Sequence, residues 1–120
     1  MKKLKGLAIA ALLSTVSTAA MAQDPLDIVF TVHSGASNTF WQAVQKGYED
    51  ACAKVGATCQ MVYVQTDGSI AEQVANMEAA LARQPDALIT SISDNTAFDD
   101  VIQRARDSGV VVISSNVDDL

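Results

Sequence analysis

Asn38-Thr39-Phe40-Trp41 is the stretch of this sequence whose residue types are best suited to holding a ligand. It follows an apolar run, Ile28 to Val32, and a polar turn, His33-Ser34-Gly35-Ala36-Ser37. A strand, a turn and a helix start in that order put Asn38 at the cap position and two aromatics in the first helical turn. An amide beside flat apolar rings offers hydrogen bonds and a stacking face together, a combination that suits a sugar ring. The same residues also fit a plain cap over a plain core, and this segment alone does not choose between the two.

Other polar residues are weaker candidates. His33 is the only histidine of the chain, and a lone histidine at a strand end more often satisfies its own loop than carries chemistry. Asp67, Asp94, Asp99 and Asp118 have no partner acid, base or metal ligand that spacing fixes. Asp94 stands out because it lies in the loop after the third strand, where it serves either a ligand or a turn before the next helix. The sequence has no glycine-rich dinucleotide turn, phosphate loop, nucleophile elbow or histidine pair at metal-ligand spacing. No cofactor and no catalysis are therefore expected. Cys52 and Cys59 are the only cysteines, and in an exported protein they are expected to pair. A zinc site is disfavoured because His33 falls at the opposite edge of the expected sheet.

Export is what the N-terminus predicts. Lys2, Lys3 and Lys5 form a basic start, Gly6 to Ala20 an apolar stretch diluted by Ser and Thr, and Ala20-Met21-Ala22 a small-residue cleavage site. Residues 1–22 read as a signal peptide and 23–120 as the mature domain, beginning at Gln23. A membrane anchor would need about 20 strongly apolar residues, more than this stretch supplies. Without its three leading lysines the chain keeps 5 basic residues against 14 acidic ones, a formal net of −9. Lys46, Lys54, Arg83, Arg104 and Arg106 are scattered over three helical segments, so no basic patch exists for nucleic acid.

The elements that position these residues alternate in kind. Ile28–Val32, Met61–Val64, Ala87–Thr90 and Val110–Ile113 are short, β-branched and nearly continuous in apolar residues, as strands covered on both faces are. Between them run three amphipathic helical stretches. Phe40, Ala43, Val44, Gly47, Ala51 and Val55 predict the buried stripe of the first, ended by Gly56. Ser69 and Glu72 predict a capping box for the second, with Ile70, Val74, Met77 and Leu81 on its inner face and Pro85 beyond its end. Thr96 and Asp99 resemble a cap for the third, whose stripe is Val101, Ile102 and Ala105 and whose stop is Gly109. The order βαβαβαβ predicts an α/β fold, a three-layer structure around a parallel sheet. All strands then deliver their following loops to one edge, at residues 33–38, 65–69, 91–96 and 114–120, and those loops are rich in Ser, Thr, Asn and Asp. The strongly apolar last strand is expected at a sheet edge, and the sequence is read as part of something longer.

With these motifs in order, Asp27 to Asp119 resembles the periplasmic sugar-binding proteins of ABC transporters, in particular the ribose-binding-like type I class. That family follows its first strand with a motif like Asn-Pro-Phe-Phe or Asp-Pro-Phe-Trp, which here reads Asn38-Thr39-Phe40-Trp41. Gly47, Ala51 and Gly56, the stretch Gln84-Pro85-Asp86-Ala87-Leu88-Ile89, and Ser108-Gly109-Val110-Val111-Val112-Ile113 carry the rest of the likeness. The resemblance implies two similar α/β lobes closing on a monosaccharide or polyol, of which this chain is the N-terminal one. It implies a ligand set of Asn38, Phe40 and Trp41, with Asn116 where many members place a sugar-binding Asp or Asn; Asp94 joins them from its loop position. It also implies a periplasmic, monomeric receptor that delivers to an inner-membrane permease. Thr39 replaces the family's usual proline, and Val117 stands where ribose binders place an arginine. Competing readings are a small exported α/β enzyme, which would need a nucleophile or base that the loops lack, and the ligand-sensing domain of a chemotaxis or regulatory system. Against a repressor stand the signal peptide and the absence of a helix-turn-helix before the first strand.

Overall fold

The computed structural model describes residues 24–118; the expected signal peptide and its cleavage point lie outside the described residues. Among the described residues four strands and three helices alternate: β1 (Asp27–Thr31), α1 (Thr39–Val55), β2 (Thr58–Val62), α2 (Ile70–Leu81), β3 (Ala87–Thr90), α3 (Asp99–Asp107) and β4 (Val111–Ser114). These strands pair in parallel, in the order β2-β1-β3-β4. The chain thus leaves β1 for one neighbour, β2, and returns across it to β3. Loops that follow β1 and β3 diverge from this point, the crevice at which open parallel sheets hold ligands.

Alternation along β1 divides the core into two layers. Val29 faces α2 and α3, in a cluster with Met77, Ala80, Leu88, Phe98, Val101, Ala105 and Val110. Phe30 and Val32 face α1 and meet Trp41, Val44 and Tyr48. The three-layer arrangement is the expected one, but α1 is turned by one position. Trp41, Val44, Tyr48 and Cys52 line its inner face, whereas Ala43, Gly47 and Ala51 are exposed, as are Phe40 at 53% and Val55 at 73%. Trp and Tyr bury far more apolar area than Ala and Gly, so a turn of about 100° that exchanges the two sets favours the aromatic stripe. Tyr48 stays satisfied there because its hydroxyl donates to the Ile28 carbonyl at 2.7 Å, and burial pushes its pKa up to about 12.

Local signals at the element ends hold in part. Gly56 ends α1 in the left-handed region, φ 69°, as a helix-stop glycine does. Ser69 caps α2 through the Glu72 N–H at 3.3 Å, but the reciprocal half of the expected box is missing. The Glu72 carboxylate instead accepts from the N–H groups of Gln65 at 2.6 Å and Thr66 at 3.0 Å. Thr96 does not cap α3: its carbonyl accepts from the Asp99 N–H, while Phe98 precedes the helix without a side-chain cap bond. The second strand begins at Thr58, three residues before the expected apolar run, because it pairs only with β1 and one side of it needs no apolar cover.

Cys52 and Cys59 form a disulfide, with Cα atoms 6.2 Å apart. It ties the last turns of α1 to the start of β2, at the edge away from the loops after β1 and β3. The sequence separation of 7 closes a short loop, so the chain-entropy contribution is about 2–3 kcal/mol. Thiol titration of the denatured, unreduced protein is expected to find neither cysteine reactive. Reduction, or the Cys52→Ser/Cys59→Ser pair, should lower denaturant-measured stability by about 2–3 kcal/mol; an unchanged midpoint would show that the bridge adds nothing.

Candidate ligand-binding site

Thr31 and Thr90 are register partners at the ends of β1 and β3, and both are fully buried. A threonine in such a place needs a partner for its hydroxyl. Each supplies the other's, at 2.9 Å. Beneath them Gln73 of α2, also with no exposed surface, donates from Nε2 to the Ser91 carbonyl at 2.7 Å and to the hydroxyls of Thr90 and Ser91 at 3.2 Å. The Ser91 hydroxyl meets His33 twice: it accepts from the backbone N–H at 3.2 Å and lies 2.8 Å from ring Nδ1. The loops after β1 and β3 are thereby joined side chain to side chain across the crevice.

A second junction joins the loops after β1 and β2. The Asp67 carboxylate accepts from the Ser34 hydroxyl at 2.7 Å and the Gly35 N–H at 2.8 Å. The Gly35 N–H, then the Ser34 hydroxyl, hold Asp67 below the usual carboxylate range. Asp94 is built the same way. Its Oδ1 accepts from the N–H groups of Thr96 and Ala97 and from the Thr96 hydroxyl, and the two N–H groups are what chiefly lower its pKa. That is an Asx-type turn.

The expected ligand residues are distributed unevenly. Asn38 caps α1 by accepting the Phe40 N–H at 3.0 Å and is exposed. Phe40 is open to solvent beside it. Trp41 is not: at 2% exposure it packs edge-on against Phe30, His33 and Phe40, with ring centroids 6.0, 5.6 and 5.2 Å away. As placed, Trp41 offers a ligand no open face, because the turn of α1 that buries Tyr48 also carries Trp41 inward. Asn116 follows β4 in the left-handed region, φ 72°, a conformation that Asn tolerates better than most residues, and its side chain is exposed. The Ile92 N–H donates to the Val117 carbonyl at 2.8 Å and so fastens the loop after β4 to the loop after β3.

Sequence reading missed Gln73, Ser91 and the threonine pair. Gln73 sits three residues after Ile70 and four before Met77, inside the buried stripe of α2; a glutamine at an apolar position was the available signal. Among the described residues no group of acidic, histidine or cysteine side chains could hold a metal ion, and no helix is long and apolar enough to cross a membrane.

Residues 28–120 match the family described as the periplasmic binding protein domain, and the chain belongs to that family. Solved structures share the fold, that of an α/β lobe of type I periplasmic binding proteins. A periplasmic sugar-binding protein of an ABC sugar transporter from Legionella pneumophila is 24% identical, with a TM-score of 0.74 over 78% of this chain and 34% of that one. An ABC transporter solute-binding protein from Thermobispora bispora is 29% identical, with a TM-score of 0.68 over 78% and 31%. A third, from Burkholderia graminis and in complex with D-arabinose, is 23% identical, with a TM-score of 0.73 over 82% and 33%. The chain spans about a third of the length of each. No curated protein sequence matches it.

Two predictions follow from this geometry. Trp41→Ala should cost about 3–5 kcal/mol of folding stability, as loss of a buried aromatic does, whereas Phe40→Ala should change denaturant stability by less than about 1 kcal/mol. Equal losses would show that the two rings share one environment. Acid should also weaken the fold. The carboxyls of Asp67, Asp94 and Glu72 are lowered in the folded chain, so their stabilisation is present above the unfolded value of about 4 and is lost as pH falls through the folded values. Melting scans should show Tm steady above about pH 5 and declining below about pH 4, with a shallower decline in the Asp67→Asn/Glu72→Gln/Asp94→Asn variant.

Proposed function

We propose that this chain supplies ligand-binding loops to the substrate-binding component of an ABC sugar transporter, exported to the periplasm with cleavage after Ala22. It captures a monosaccharide or related polyol and delivers it to an inner-membrane permease. The observation that carries this reading is the edge where β1 and β3 end: a fully hydrogen-bonded polar floor, with Phe40 exposed at the head of α1. Phe40 covers the apolar face of a sugar ring while Asn38, Asp94 and Asn116 bond its hydroxyls, and Trp41 holds Phe40 from behind. Asp94 keeps its second carboxylate oxygen for the ligand while Oδ1 holds the turn. Binding and not catalysis suits these groups, since the carboxylates of Asp67, Glu72 and Asp94 are held as anions by N–H donors in their own loops. Family membership and the D-arabinose complex of one structural neighbour support the ligand class. Specificity would come from hydroxyl count and placement, because an analogue that lacks one leaves a polar group of the closed site unpaired.

The test is calorimetric titration of the protein purified from the periplasm, whose mass should begin at Gln23. The panel is D-arabinose, D-ribose, D-allose, D-glucose and a polyol. Saturable binding of at least one is expected, and Phe40→Ala and Asn116→Ala should each weaken it by about tenfold, or 1.4 kcal/mol. A panel without any binder, or variants that remain folded and bind as tightly as the parent, would overturn the reading.

A further inference from the structure

The hydrogen bonds around Ser91 decide which nitrogen of His33 carries the proton. Gln73 is oriented by its 2.7 Å bond to the Ser91 carbonyl, which only an N–H can make, so Nε2 is the nitrogen that also faces the Ser91 and Thr90 hydroxyls. The Ser93 hydroxyl, 3.4 Å from Gln73 Oε1, agrees with that orientation. The Ser91 oxygen therefore receives N–H groups from Gln73 and from the His33 backbone. It retains one hydrogen to give, and among the described residues its remaining neighbour is His33 Nδ1, at 2.8 Å. Were Nδ1 protonated, its N–H would join the His33 backbone N–H and the Gln73 hydrogen shared with Thr90 on one hydroxyl oxygen, and the serine hydrogen would have no acceptor in a place of zero exposure. The only arrangement that satisfies every group has Ser91 donating to a bare Nδ1.

The geometry points to a relay from Gln73 through Ser91 that sets the tautomer of His33, leaving Nδ1 bare and the ring hydrogen on Nε2. His33 thereby presents a one-way donor at the ligand edge. The ring is half-buried and stands edge-on to Trp41, 5.6 Å between centroids. Among the described residues no buried side-chain nitrogen or oxygen lacks a partner, so Nε2, which bonds to none of them, opens to solvent beside the aromatic pair. The nearby Asp67 carboxylate has its Oδ1 taken by Ser34 and Gly35. An N–H fixed in this way accepts nothing: it meets a hydroxyl or carbonyl oxygen of a ligand and turns away an ammonium group. Gln73 and Ser91 are positioning residues and His33 is a specificity-determining one. The ligand part of this assignment rests on the sugar reading above, whereas the tautomer does not.

Nitrogen-15 NMR of the ligand-free, full-length protein tests the tautomer directly, with the His33 signals assigned by their loss in His33→Gln. In mildly alkaline buffer one nitrogen should show the shift of a protonated Nε2 and the other that of a bare Nδ1. The reverse pattern, or two averaged shifts, in the parent protein would overturn the proposal. Ser91→Ala, checked for folding by its melting curve, should move the two shifts towards each other as the tautomers mix; an unchanged spectrum would show that Ser91 sets nothing. In the sugar titration, His33→Phe, which keeps a ring against Trp41, should bind about tenfold more weakly. Unaltered affinity would remove His33 from the ligand's contacts. Failure of every sugar to bind the parent would instead remove the sugar reading and leave the tautomer result standing.

Discussion

A buried polar group must find a hydrogen-bond partner or cost the fold one to several kcal/mol. Five polar side chains, Thr31, Ser34, Gln73, Thr90 and Ser91, have almost no exposed surface, and all but one of them lie in the two strands or loops that meet at the crevice. Gln73, the exception, reaches that crevice from α2. Ser34 is satisfied by Asp67, and the other four satisfy one another, which fixes the spacing of β1 and β3 beyond the end of the regular ladder and sets the angle at which the two loops leave. Everything exposed at this edge, including Asn38 and Phe40, is placed by what is hidden below it.

The parallel sheet suits that demand. Strand order turns back at β1, so the loops after β1 and β3 lead away from each other and leave space between them. Apolar packing on the two faces is divided, α1 on one and α2 with α3 on the other, and both layers run past the strand ends through Val32 and Ile92. Among those apolar residues Thr31, Thr90 and Ser91 add buried hydrogen bonds to the packing.

The alternation of strands and helices was legible because period and length differ sharply between an apolar run of four and an amphipathic run of twelve. Cys52 and Cys59 were legible as a pair because they stand at a helix end and a strand start in a chain whose N-terminus predicts export. The rotation of α1 was not legible, because Tyr48 and Trp41 count as apolar or polar according to what their hydroxyl or ring edge meets, and sequence alone does not show the Ile28 carbonyl that receives Tyr48. The polar floor was less legible still. Threonine at a strand end reads as a β-former, serine as a loop residue and glutamine as helix surface, and only their meeting in space shows that each completes another. For Asp94 the sequence left a turn and a ligand contact both open, and the fold shows the turn, with Oδ1 held by the Thr96 and Ala97 N–H groups.

Burying Trp41 while leaving Phe40 exposed divides the head of α1 into two neighbouring positions with opposite tolerance of change. A change at residue 41 disturbs Phe30, His33 and the whole α1 layer at once. A change at residue 40 meets mostly water. Asn116 at the far side is likewise exposed, so positions 40 and 116 can each take another side chain without endangering the scaffold. The outer surface of this edge can therefore be altered one side chain at a time, while the Thr31–Thr90 and Gln73–Ser91 contacts hidden beneath it can change only in concert.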